Sequence, residues 1–110
     1  MCPTTLAVRR GAGTRLEPMS RCQLQVYYSG RVQGVGFRYR VKNLAAGFEV
    51  LGSVRNLADG RVELVAEGTK EELQEFQRII GESELGSLIR NEETNWNEAN
   101  NEFKGFQIIG

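Results

Sequence analysis

A chain of 110 residues, 40% of them hydrophobic, has the size of one domain with a modest core. Its fourteen basic and fourteen acidic residues cancel, but residues 1–22 hold Arg9, Arg10, Arg15 and Arg21 against Glu17 alone, so the remainder is weakly acidic and lacks the basic face of a nucleic-acid binder. Histidine is absent and Asp59 is the only aspartate, which excludes Ser-His and Cys-His pairs, histidine metal ligands and paired-aspartate phosphatase chemistry.

Residues 1–22 do not continue the pattern of the rest and are expected to be an N-terminal extension, disordered or non-native, with residues 23–110 as the domain. The head has no apolar core of a secretory signal. Its arginines fit a mitochondrial transit segment less well than a start at Met19. No apolar run approaches the roughly 20 residues of a membrane span. The sequence therefore predicts a soluble, cytoplasmic protein with no membrane association. Cys2 and Cys22 have no zinc-ligand spacing.

Leu24, Val26 and Tyr28 alternate with Gln23, Gln25 and Tyr27, which predicts a half-buried first strand. A glycine-rich stretch, Gly30-Arg31-Val32-Gln33-Gly34-Val35-Gly36-Phe37-Arg38, follows. Phe37, Val41, Leu44 and Ala45 then mark one face of a helix ending near Gly47. Residues 48–56 and 61–67 predict two strands joined at Asp59-Gly60, a hairpin signal. Val62, Leu64 and Ala66 share one side of the second, and Glu63 and Glu67 are expected on the solvent side without a role. Thr69 to Glu72 reads as a capping box, Leu73, Phe76, Ile79 and Ile80 as a second apolar stripe, and Gly81 as its stop. Leu85 to Arg90 reads as a fourth strand and Phe106 to Ile109 as a short last one. Asn91 to Lys104 between them reads as a solvated loop or frayed hairpin anchored by Trp96.

The order β-α-β-β-α-β is that of an α+β, ferredoxin-like split βαβ sandwich, an antiparallel sheet with two helices on one face. Right-handed crossovers give the strand order 4-1-3-2. Many functions share this fold, so the function rests on the site.

The glycine-rich stretch lets consecutive backbone N–H groups of Gln33, Gly34, Val35, Gly36 and Phe37 converge on one point. The start of the helix and the Arg38 guanidinium add positive charge there, which makes an anion cradle, most simply for phosphate. Other phosphate signatures fail. No glycine is followed by Gly-Lys at Walker spacing, Tyr39 stands where a dinucleotide fingerprint needs glycine, and neither cysteine precedes an arginine by six residues. Spacing alone leaves a second reading open, a glycine-rich turn with a solvated arginine.

Gly30 to Arg38, followed by Gly52-Ser53-Val54-Arg55-Asn56 and Asp59-Gly60-Arg61-Val62-Glu63, resembles the signature of the acylphosphatase family, and the likeness runs from about Gln23 to Gly110. The resemblance implies metal-free hydrolysis of the carboxyl-phosphate bond of acyl phosphates, without cofactor. It makes Arg38 the phosphate-binding arginine and Asn56 the residue that positions the attacking water. Inorganic phosphate is then product and inhibitor, and the chain acts as a monomer. A neutral amide suffices because a carboxylate is a weakly basic leaving group. Ser53 departs from the family, which places a large aromatic there, and Gly81-Glu82 departs from the usual Gly-Pro. The rival reading is a non-catalytic ferredoxin-like module that binds anions, or single-stranded RNA through Tyr27.

Overall fold

The computed structural model describes residues 21–109; of the expected head at 1–22, residues 1–20 lie outside them, while Arg21 and Cys22 belong to the first strand. The elements are β1 (Arg21–Gly30), α1 (Phe37–Ala45), β2 (Leu51–Asn56), β3 (Val62–Thr69), α2 (Lys70–Glu82), a 3₁₀ turn (Glu84–Leu88), β4 (Ile89–Glu98) and β5 (Phe106–Ile109). The sheet order is β4-β1-β3-β2-β5. The first four strands pair antiparallel and β5 lies parallel to β2. The fold is thus the expected ferredoxin-like sandwich, extended at one edge by a fifth strand. No helix among the described residues is long and apolar enough to cross a membrane.

The alternation of β1 works as read, with Cys22, Leu24, Val26 and Tyr28 all buried. Leu64 and Ala66 of β3 and Val54 of β2 join them beneath the helices. Phe37, Val41 and Ala45 of α1 and Leu73, Phe76 and Ile80 of α2 close this core from above. Phe76 is its aromatic centre, 5.5 Å from the Phe48 ring and 5.9 Å, edge-on, from Phe106. That last contact fastens β5 to the body.

The end of the chain differs from the reading of the sequence. Residues 84–88 are a 3₁₀ turn, and the fourth strand runs from Ile89 to Glu98, through the stretch read as a loop. β4 is an edge strand whose side chains are exposed except at Ile89 and Trp96. Its hydrogen bonds to β1 hold it, so it shows no apolar alternation. α2 likewise continues through Gly81 to Glu82, and Ser83 ends it by donating its hydroxyl to the Ile80 carbonyl at 2.7 Å.

Only half of the capping box forms. The Thr69 hydroxyl accepts from Glu72 N–H at 3.3 Å, while the Glu72 carboxylate accepts from Glu49 N–H at 3.0 Å. Glu63 and Glu67 do lie on the helix-free face, but both are buried, Glu67 completely. Glu67 accepts from Gln23 and from the backbone N–H groups of Asn100 and Asn101, and so anchors the loop that leads into β5. Glu63 accepts from Gln25 and Arg55. Long neighbouring side chains bury these carboxylates, which strand periodicity does not register. Ser53 shares that face, opposite in sense to the buried Val54, and pairs with Val65 and Gln107.

Candidate active site

The loop between β1 and α1 turns twice through the left-handed region, at Gly34 (φ 74°) and Gly36 (φ 80°). A Cβ at either would meet nothing within 4 Å. The backbone angle therefore requires glycine here, and no crowding within the protein does. Gly36 is the N-cap of α1, and its carbonyl accepts the first helical bond, from Arg40 N–H at 3.0 Å. The backbone N–H groups of Gln33 to Phe37 donate to no protein group among the described residues. They lie at the positive end of the helix and suit an anion.

Arg38 is half-buried in the first turn of α1, and its Nη1 donates to the carbonyl of Ile109 at 3.3 Å. It has no carboxylate partner among the described residues, whereas Arg40, Arg55 and Arg61 each pair with one and Arg78 with two. Asn56 closes β2, half-buried, and its Oδ1 is buried without a hydrogen-bond partner. An orphaned buried acceptor is costly unless something outside the protein satisfies it.

A cavity of about 130 Å³ joins these parts. Its walls are Val32, Gly34, Gly36, Phe37, Arg38, Tyr39, Asn56 and Ile108. Of the residues singled out in the sequence, Gly34, Gly36, Phe37, Arg38 and Asn56 line this one cavity. Val35 lies on the loop with its side chain 42% exposed, outside the wall. Gln33 is also outside it, because its side chain turns toward the β2–β3 connection. Ser53 is not in the wall, so its departure from the family pattern leaves the cavity untouched. Buried Val32, Tyr39, which is 65% exposed, and Ile108 are lining residues that the sequence reading missed. Tyr39 could have been found as the neighbour of Arg38 at the open start of a helix. Ile108 gave no signal, since its place depends on the pairing of β5 with β2.

The wall offers no carboxylate, imidazole or thiol, and the described residues contain no group of three or more His, Cys, Asp or Glu side chains placed to hold a metal. Its polar groups are backbone N–H groups, the Arg38 guanidinium, the Asn56 amide and the Tyr39 phenol, around a space of the size of one small anion. Such a set can neutralise phosphoryl oxygens and hold a water molecule, but cannot remove a proton at neutral pH.

Comparison with known proteins places the chain in a family. The sequence model of the acylphosphatase family matches residues 24–108. The acylphosphatase of Methanospirillum hungatei is 44% identical over 70 residues, covering 63% of this chain and 77% of that protein. The acylphosphatase of Pelotomaculum thermopropionicum is 37% identical over 90 residues, covering 82% and 98% respectively. The crystal structure of the acylphosphatase from Bacillus subtilis superposes with a TM-score of 0.74 at 34% identity, covering 81% of this chain and 99% of the other. With the glycine-rich cradle, Arg38 and Asn56 all falling inside the matched span, the chain belongs to the acylphosphatase family.

Proposed function

We propose that the protein hydrolyses acyl phosphates to a carboxylate and inorganic phosphate, without metal, at the cavity between the 33–37 loop and Asn56. The observation that carries this is the unpartnered Asn56 Oδ1 in the same cavity wall as Arg38 and the cradle glycines. The loop N–H groups and the Arg38 fork hold the three equatorial phosphoryl oxygens. A water donates one hydrogen to Asn56 Oδ1 and presents its oxygen to phosphorus, in line with the departing carboxylate. As the P–O bond to the acyl group breaks, the new one to water forms. The carboxylate leaves with the bonding pair, and the water's proton passes to a phosphate oxygen. No general base is required because a carboxylate is a good leaving group. Inorganic phosphate occupies the same cradle and competes with substrate.

The ferredoxin-like sheet offers little to single-stranded RNA. Tyr27 is already covered by the Arg61 guanidinium, 4.5 Å from its ring centre, and Glu63 and Glu67 stand on the same face. The test is steady-state hydrolysis of benzoyl phosphate with and without EDTA, in the presence of graded phosphate. Undiminished turnover in EDTA with competitive inhibition by phosphate is expected. Loss of activity in EDTA, or phosphate that fails to compete, overturns the proposal.

A further inference from the structure

From the bonds made by its side chain, and given the roles just proposed for the cradle and Asn56, we infer that Gln33 is a positioning residue that sets the distance between the phosphate-holding loop and the water-holding end of β2. Gln33 Nε2 donates to the carbonyl of Leu57 at 2.8 Å and to that of Arg61 at 2.9 Å. These two carbonyls close the mouth of the β2–β3 hairpin. Leu57 N–H donates to Arg61 O at 2.8 Å, and Gly60 N–H donates to Leu57 O at 3.1 Å. Each carbonyl therefore receives one bond from within the hairpin and its second from Gln33, which fills both lone pairs of each.

The chemistry fixes the residue type. Both acceptors are carbonyls, so the amide nitrogen must face them and both of its hydrogens are used. Glutamate would place a charged acceptor against two acceptors. Asparagine lacks one methylene of reach. Leu57 directly follows Asn56, and Gln33 directly precedes Gly34, so the clamp joins the two halves of the site one residue from each. The rest of the loop makes no comparable bond to β2: Arg31 N–H donates to the Leu88 carbonyl at 2.9 Å, the N–H groups of residues 33–37 donate to no protein group among the described residues, and a Cβ at Gly34 or Gly36 would meet nothing within 4 Å. The loop and the strand end come from separate parts of the chain, 24 positions apart at the Gln33–Leu57 bond. In-line attack tolerates little misplacement, and a shift of about 1 Å can cost on the order of a hundredfold in rate.

The experiment is a double-mutant cycle on turnover of benzoyl phosphate, with Gln33→Met, which keeps the length but lacks the donors, and Asn56→Ala. The phosphate inhibition constant and the urea midpoint are measured for each protein. Gln33→Met is expected to lower kcat roughly tenfold to a hundredfold in the wild-type background. In the Asn56→Ala background it should lower kcat less than about twofold, since the group it positions is gone. Phosphate affinity should change less than kcat in Gln33→Met. Gln33→Glu should lose more turnover than Gln33→Met. An equal drop in both backgrounds, or unchanged kcat in Gln33→Met, overturns the inference and leaves the acyl phosphatase reading standing. A phosphate constant that rises as far as kcat falls also overturns it, by placing Gln33 within the cradle itself. A fully active Asn56→Ala removes both the water-positioning reading and the inference built on it.

Discussion

The guanidinium of Arg38 is tied to the carbonyl of Ile109, so this cation at the start of α1 is held from β5. One Nη1–H is directed back to the protein at 3.3 Å, and the remaining guanidinium donors have no partner among the described residues. An arginine tethered in this way loses less freedom when it meets a phosphoryl group than one on a free stem.

Replacing Arg38 with Gln should therefore cost more than charge. Loss of one oxyanion donor lowers rate by roughly 10²–10³, and loss of a charged, bidentate one by at least as much. Arg38→Lys should fail as well, because a single ammonium cannot bond Ile109 O and two phosphoryl oxygens in one plane. Steady-state kinetics of both variants with benzoyl phosphate check this. A Lys variant with most of its activity would show that charge alone suffices.

Asn56→Ala should separate binding from turnover. In the proposed mechanism the amide touches the water and barely the phosphate, so kcat should fall by on the order of a hundredfold while phosphate inhibits nearly as in the wild type. Asn56→Asp should bind phosphate more weakly, because a carboxylate in that wall repels the anion. The inhibition constant of phosphate beside kcat decides the matter, and equal losses in both would make Asn56 a phosphate ligand.

Tyr28 supplies a prediction about stability and pH. Its side chain is fully buried against Phe37, with ring centres 5.2 Å apart, and its hydroxyl has no partner among the described residues. Burial, helped by the Glu92 carboxylate, holds the phenol far above its ordinary value of 10.0. Below the ordinary value both folded and unfolded chains keep the proton, and the group costs nothing extra. Above it the unfolded chain releases the proton and the folded one does not. Stability should then fall as pH rises, by about 1.4 kcal/mol per pH unit from this group. Tyr28→Phe should remove that component and stabilise the protein by about 1 kcal/mol at neutral pH, by deleting an unsatisfied hydroxyl. Urea unfolding of both proteins at neutral pH and near pH ~11 tests it. An identical pH slope in the two proteins would show that the phenol is not shielded.

Much of this could be read in the residues themselves. The alternation from Leu24 to Tyr28, the Asp59-Gly60 turn and the stripe from Leu73 to Ile80 are local patterns, and each formed the element it announced. The loop itself was legible because glycine at 34 and 36 serves a backbone need satisfied within a few residues, two turns through the left-handed region. What escaped reading depends on distant partners. β4 is held by its ladder to β1 and carries no pattern of its own. Glu67 looks like a surface residue until Gln23 and the loop at 100–101 close over it. Ile108 reaches the cavity only because β5 adds beside β2.

The parallel seat of β5 beside β2 also sets an order of events as the chain emerges during synthesis. Strands β1 to β3 and both helices, with the whole glycine loop, Arg38 and Asn56, are complete before Phe106 leaves the ribosome. The last wall of the cavity and the acceptor for Arg38 then arrive together, closing a bond across 71 positions. Contacts of such separation form late, after the local ones that precede them have lowered the cost of closure. A nascent chain would therefore hold a folded scaffold with an unfinished pocket until its final strand docks, so its catalytic competence would begin with β5.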